Sequence, residues 1–261
     1  MRALPLTAAL LLVVCGCSSA GPTNAARSSA GASASASPSP SPPTTPSPLT
    51  DSTVDQLLAR CPSPAELAAV DSSTALTFTS DPSAGQLVCT QALGSRDLTL
   101  LQERSYQAIL LFSWIRFDAP LPWTDKPLDA WFASAIHGID FRADTEYSYC
   151  CEAGGVIVVQ TNNLIVLMPT YDAWNAVSGF AALFIHEARH NEGYSHTCAG
   201  GNDSTIEELG AWSVVYYFFL WLATHTDAAA LPGLDQLEAG HAAARTRASR
   251  FCSLLSPSPT P

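Results

Sequence analysis

The most informative segment of the chain is His186-Glu187-Ala188-Arg189-His190-Asn191-Glu192-Gly193-Tyr194-Ser195-His196. It follows a segment in which apolar residues recur at helical spacing, among them Val177, Phe180, Phe184 and Ile185. Since positions four apart differ by only about 40° around a helix, His186 and His190 lie on one face and can share one cation. We therefore expect a helix from Asp172 to His190 that ends at a metal site.

Glu187 follows the first histidine of this helix. Because successive residues are rotated by about 100° around a helix, the Glu187 side chain points away from the metal position, but it lies close enough to hold a water molecule there. Zinc lowers the pKa of bound water towards roughly 7, so a neighbouring carboxylate can take its proton. The pattern predicts Zn²⁺ as the cofactor and Glu187 as the catalytic base.

Gly193 and His196 extend the pattern to HExxHxxGxxH. Glycine adopts without strain the left-handed conformation that commonly ends a helix. The alternative without a metal is a helix with two surface histidines, in which Arg189 pairs with Glu192 at i,i+3.

Residues 186–196 resemble the zinc-binding consensus of the metzincin metallopeptidases, within the wider zincin group. The resemblance implies zinc binding by His186, His190 and His196, general-base catalysis by Glu187 and a chain turn at Gly193. It covers eleven of the 261 residues. Metzincins also have a methionine turn downstream of the third histidine, whereas both methionines here, Met1 and Met168, lie upstream.

Glu208 is the alternative third ligand. Glu208-Leu209-Gly210-Ala211 resembles the second motif of the gluzincins, another zincin group, in which a glutamate on a following helix completes the site. Two overlapping capping-box spacings, 204–207 and 205–208, allow a glutamate here simply to cap a helix. We favour His196 over Glu208, and we expect Asp203 to be an N-cap and not a ligand.

We expect three further histidines and Tyr194 to have structural roles. His137, His225 and His241 have no ligand-like spacing and are expected to be surface or structural histidines. Tyr194 could donate to a developing oxyanion, but a tyrosine beside a turn more often packs.

The remaining pattern predicts an α+β class, mostly helical: a zincin-like domain with a small β-hairpin or sheet beside the metal-binding helix. Val156–Val159 and Leu164–Met168 are two β-prone runs that we expect to form this hairpin. Trp212–Ala223 is almost entirely apolar but too short to span a bilayer, so it predicts a buried helix. Further helices are expected within 53–70, over 97–112, from Pro127 and over 234–251, and short strands over 74–79 and 86–90.

The charge balance excludes one class of partner. The formal net charge is −11, and Lys126 is the only lysine. No basic stripe is available to neutralise phosphates, so we do not expect nucleic-acid binding.

Residues 1–17, MRALPLTAALLLVVCGC, form a signal-peptide pattern with one positive charge and a short apolar stretch. Gly16-Cys17 resembles the lipobox of bacterial lipoproteins, in which the cysteine is acylated and becomes the mature N-terminus; Cys15 fits this pattern less well. A plain secretory signal is the alternative. The lipobox implies export and a lipid anchor on the outer face of the cytoplasmic membrane.

The domain organisation follows from composition. Residues 18–50 are rich in Ser, Ala and Pro and residues 256–261 alternate Ser or Thr with Pro, so both are expected to be disordered. Residues 51–255 are expected to form one metal-binding domain, and we expect a monomer.

Six cysteines remain after Cys15 is removed and Cys17 acylated: Cys61, Cys89, Cys150, Cys151, Cys198 and Cys252. An even number outside the cytoplasm favours three disulfides, with fifteen possible connectivities. Adjacent cysteines rarely bond to each other, so Cys150 and Cys151 are expected to have different partners. Cys198 is expected to be bonded and to hold the loop that carries His196.

The function expected from these features is a zinc metallopeptidase anchored outside the cytoplasmic membrane. Zinc-bound water, activated by Glu187, would attack a peptide bond in a protein or a cell-wall peptide. The alternative is a zinc-binding surface lipoprotein without turnover, in which the metal is structural or captured. A structural site has four protein ligands, whereas a catalytic site keeps a position for water.

Overall fold

A computed structural model describes residues 53–89, 96–162 and 172–253. The expected signal peptide, linker and C-terminal tail, and the expected strand Leu164–Met168, lie outside these residues. The architecture is mixed α+β with helices predominant, which confirms the expected class. Within the described ranges, no helix combines the length and the apolar character needed to cross a membrane.

Seven α-helices lie in the described ranges. They are α1 (Val54–Leu58), α2 (Pro64–Ser73), α3 (Leu100–Trp114), α4 (Leu128–Ala135), α5 (Ala173–Asn191), α6 (Ala211–Thr224) and α7 (Gly233–Arg250). All correspond to predicted helices, and a 3₁₀ turn, Ile206–Glu208, precedes α6. Helix α5 begins where Asp172 accepts a hydrogen bond from the Asn175 N–H at 2.8 Å, so a side chain satisfies one free amide of the first turn.

Six strands in the same ranges form two sheets. They are β1 (Ala75–Phe78), β2 (Leu87–Cys89), β3 (Leu98–Thr99), β4 (Gly138–Arg142), β5 (Tyr149–Glu152) and β6 (Val156–Gln160). The larger sheet has the order β1-β4-β6-β5; β1, β4 and β6 run parallel and β5 is antiparallel to β6. Strands β2 and β3 pair separately.

The predicted hairpin is only partly correct. The strand expected at Val156–Val159 is β6, but its described antiparallel partner is the preceding strand β5. Gly154 and Gly155, with φ of 91° and 74°, make the turn between the two strands, where other residues would be strained. Strands β3, β4 and β5 were not predicted from the sequence, which placed the residues of β3 in the helix expected over 97–112.

Helix α5 is the central element of the core. Its Phe180 and Phe184 rings pack against Phe141 of β4, with centroid distances of 6.2 and 6.5 Å. Helix α6 packs along α5 and is buried over most of its length, as its almost entirely apolar sequence predicted. Burial of each such large side chain contributes about 1.5–3 kcal/mol, so the C-terminal end of α5 is fixed between the sheet and α6.

Candidate metal centre

The structure brings His186, His190 and His196 together. The Nε2 atoms of His186 and His190 are 3.2 Å apart, and the His196 ring centroid lies 5.2 and 4.7 Å from those of His186 and His190. One ligand atom from each of the three residues lies within 4.8 Å of the others. This three-histidine group can hold a metal ion, and the helical spacing correctly predicted its first two members.

The surroundings of His186 and His190 favour the neutral form of these two imidazoles. His186 is buried against the indole of Trp212, at a centroid distance of 4.2 Å. Burial lowers the pKa of His186 well below its usual value, helped by the neighbouring His190 and His196, while the backbone of Ala211 opposes the shift. Burial also lowers the pKa of His190. A neutral imidazole has a free nitrogen lone pair, which is what metal binding requires.

The turn after α5 returns the chain to the first two histidines. Gly193 has φ of 93°, the left-handed conformation predicted for it. Tyr194 then accepts a hydrogen bond through its carbonyl oxygen from His190 Nδ1 at 2.6 Å. With Nδ1 engaged in this way, His190 is left with Nε2 as its metal-binding atom.

Arg189 holds this turn against α6. Its guanidinium donates to the Leu209 carbonyl at 2.8 Å and to Glu192 Oε2 at 2.6 Å, and lies 3.4 Å from the centre of the Tyr194 ring. The Arg189–Glu192 pair of the alternative without a metal is therefore present, but the three histidines are grouped as well. Tyr194 is 41 % exposed, and its ring stacks on the Arg189 guanidinium.

Glu187 lies on the sheet side of the cluster. Its side chain is only 2 % exposed and contacts the backbone amide of Cys150 on β5. Burial raises the pKa of Glu187 to about 8, although the Cys150 N–H opposes the shift. Its Oε2 atom is buried and has no hydrogen-bond partner among the described residues. A buried carboxylate oxygen without a partner is costly unless a further group, such as water, satisfies it.

Glu208, the alternative third ligand, does not join the cluster. Its exposed side chain accepts a hydrogen bond from Thr197 Oγ1 at 2.5 Å, and Thr197 in turn accepts from the Ser204 N–H at 2.8 Å. Neither predicted capping box forms at α6: its N-cap residue, Gly210, has no side chain, and the 3₁₀ turn lacks a side-chain cap.

Asp203 supplies the missing cap from outside the helix. Its Oδ2 atom accepts from the Trp212 and Ser213 amides, in the first turn of α6, at 2.8 and 3.3 Å. Asp203 is therefore not the N-cap residue that the sequence predicted, since Gly210 holds that position, but it does satisfy free amides of the first turn. Asp203 also makes a contact that was not predicted: its Oδ1 atom accepts a hydrogen bond from His196 Nδ1 at 2.9 Å.

The other three histidines lie outside the cluster. His225 contacts Asp118 at 2.8 Å, and His241 lies 3.7 Å from Glu238. These contacts, and the absence of His137 from any metal-competent group in the described residues, agree with the structural roles expected for them.

All six cysteines of the domain are paired. Cys61 is bonded to Cys89, Cys198 to Cys252 and Cys150 to Cys151. The expectation that Cys150 and Cys151 have different partners is wrong, because the other four cysteines bond among themselves and leave these two with each other. The expected bond at Cys198 is confirmed, and it joins the His196 loop to the end of α7.

Removing the Cys198–Cys252 bond should weaken metal binding as well as stability. We expect the double variant Cys198→Ser/Cys252→Ser to lose about 2–4 kcal/mol of unfolding free energy and to bind zinc about tenfold more weakly, since the His196 loop is less constrained. The matched control is Cys61→Ser/Cys89→Ser, which removes a bond between the segment after α1 and strand β2, neither of which carries a histidine. Denaturant unfolding and zinc titration separate the effects, and equal zinc affinity in the two variants would contradict this role.

The chain matches no protein-family model, and no curated protein or solved structure is significantly similar to it. The resemblance to zincins therefore rests on residues 186–196 and on the geometry of the three histidines.

Proposed function

We propose that this protein is a zinc-dependent hydrolase of the zincin type that cleaves peptide bonds. The observation that carries the proposal is the combination of three converging histidines with a buried glutamate, Glu187, that has an unpartnered oxygen next to them in the chain. Nitrogen ligands in a group of three are typical of catalytic zinc sites. A zinc ion would supply Lewis acidity, which lowers the pKa of water and polarises a carbonyl group.

The number of ligands favours catalysis over a structural metal. Within the described residues, only His186, His190 and His196 form a metal-competent group. Glu208 would complete a four-ligand site, but its side chain instead accepts a hydrogen bond from Thr197. A three-ligand site keeps a coordination position for water or substrate, whereas a structural zinc site has four protein ligands.

Glu187 is suited to move the proton. Its Oε2 is free to accept a proton from the attacking water, and the same carboxyl group can then donate it to the leaving amine. A group that first accepts and then donates a proton works best when its pKa lies near the working pH, and burial raises the pKa of Glu187 above the ordinary carboxyl value. The contact with the Cys150 amide holds the side chain in place between the two steps.

Strand β5 favours an extended peptide as substrate. In the described part of the sheet β5 is the outer strand, and its Cys150 contacts Glu187. A peptide that adds to such an edge is held by main-chain hydrogen bonds. This arrangement would place its backbone beside Glu187.

Chelation tests the proposal directly. We expect the purified protein to contain close to one zinc ion per chain and to hydrolyse unfolded protein substrates or cell-wall peptides. A strong chelator should abolish the hydrolysis and Zn²⁺ should restore it. Elemental analysis and mass spectrometry of the products measure the two properties. A protein that binds zinc but cleaves no substrate in either class would favour the alternative of a non-catalytic zinc-binding lipoprotein.

We also propose that the protein is exported and anchored by a lipid at Cys17, because Gly16-Cys17 follows the apolar stretch of residues 4–14. Mass spectrometry of the N-terminal peptide from membranes should find an acylated Cys17 as the first residue. Replacing Cys17 by Ser should release the protein from the membrane fraction, whereas Cys15→Ser should not. An unmodified mature N-terminus at another residue would contradict the anchor.

A further inference from the structure

We infer that Asp203 is a positioning residue that fixes the tautomer of His196 and so presents its Nε2 atom to the metal. The inference deepens the proposed function and rests on it. Asp203 is fully buried, and a buried carboxylate is stable only when its oxygens are paired. Both oxygens are paired, and each contacts a different part of the site.

Asp203 Oδ1 contacts His196, the proposed third metal ligand. An ionised carboxylate can only accept hydrogen bonds, so the 2.9 Å contact requires a proton on His196 Nδ1. A neutral imidazole carries one proton, and Nε2 is then left with the lone pair that a metal needs. Outer partners of this kind set the orientation and basicity of ligating histidines, and their loss typically costs 10–100-fold in metal affinity.

The other oxygen anchors the carboxylate. Oδ2 accepts from two amides in the first turn of α6, where the helix dipole favours negative charge. Gly210 makes room for this contact, because a Cβ atom there would lie 2.6 Å from Asp203 Oδ2. The backbone of Asp203 is also fixed, since its N–H donates to the Arg250 carbonyl and its own carbonyl accepts from Cys252.

These contacts connect His196 to two helices through one residue, Asp203. The start of α6 sets the position of Asp203 Oδ2, and the end of α7, bonded to the His196 loop through Cys198–Cys252, sets its backbone. His196 is the one ligand that does not lie on α5, so its direction depends on this connection. Asp203 therefore fixes the orientation of His196, just as helix α5 fixes the orientations of His186 and His190.

The decisive variant is Asp203→Asn. An asparagine has the same shape but only one accepting oxygen. The two α6 amides and His196 Nδ1 would compete for this oxygen, and we expect the two amides to keep it. Its NH₂ group then faces His196 Nδ1, which must become the acceptor and leave the proton on Nε2. We expect helical circular dichroism to be retained and the zinc dissociation constant, measured by chelator competition, to rise about 10–100-fold.

The control is Asp172→Asn, the same isosteric change at the N-cap of α5, where the side chain contacts no histidine. It should leave zinc affinity unchanged, since asparagine caps helices as well as aspartate does. An equal loss of affinity in Asp172→Asn would overturn the inference, because the effect would then come from capping or from charge.

Imidazole ¹⁵N NMR of the metal-free protein gives a readout that depends on neither zinc nor activity. In the unsubstituted protein His196 should carry its proton on Nδ1, and in Asp203→Asn on Nε2. If the unsubstituted protein has the Nε2–H tautomer, or if Asp203→Asn binds zinc like the unsubstituted protein, the inference fails. Failure of the unsubstituted protein to bind zinc at all would instead refute the proposed function.

Discussion

Replacing Glu187 with glutamine should abolish hydrolysis while the protein keeps its zinc. Glutamine has nearly the same volume and can still accept a hydrogen bond from the Cys150 amide, but it cannot take a proton from water. General acid–base catalysis contributes about 10²–10⁴-fold, so the turnover rate should fall by at least this factor. Zinc content should remain near one ion per chain, because Glu187 is not among the three grouped ligands.

The fold should tolerate this change. Glu187 is only 2 % exposed, and a neutral amide avoids the cost of burying a carboxylate charge. The matched control is Glu207→Gln, which alters an exposed carboxylate in the 3₁₀ turn beyond the third histidine. Initial rates and zinc content are measured on both variants. Substantial hydrolysis by Glu187→Gln would remove Glu187 from the mechanism, and loss of its zinc would make it a ligand.

The sequence predicted the part of the site that local geometry determines. The spacing of His186 and His190 and the apolar face of α5 both follow from the helical repeat, which involves only neighbouring residues. Gly193 was predictable for the same reason, because a helix end requires a left-handed residue at that position. These features did not depend on how the rest of the chain folds.

The parts that were missed depend on distant contacts. Strand β4, Gly138–Arg142, contains glycine and two charged residues, and it is a strand because β1 and β6 pair with both of its edges. The contact between Asp203 and His196 requires the loop path set by the Cys198–Cys252 bond, which the sequence could not specify among fifteen connectivities. Because the course of this loop was not known from the sequence, both His196 and Glu208 remained candidates for the third ligand.

Replacing any of the three histidines with alanine should remove the metal. Zinc binding at protein sites contributes on the order of 10–16 kcal/mol in total, so loss of one ligand in three should weaken binding by at least 10²-fold. His190→Ala is the cleanest test, because His190 is only partly buried and its removal disturbs the core least. His186→Ala also leaves a space beside Trp212, so its folding needs a separate check by circular dichroism.

The comparison between His196→Ala and Glu208→Ala identifies the third ligand. We expect His196→Ala to behave like His190→Ala, whereas Glu208→Ala should keep its zinc, because Glu208 is exposed and contacts Thr197 instead of the cluster. His225→Ala, which removes a histidine that contacts Asp118, controls for nonspecific binding. If His186→Ala and His190→Ala fold and bind zinc as tightly as His225→Ala does, the three histidines are not a zinc site. Should Glu208→Ala lose its zinc while His196→Ala retains it, the assignment of the third ligand is reversed, and the tautomer of His196 no longer bears on the metal.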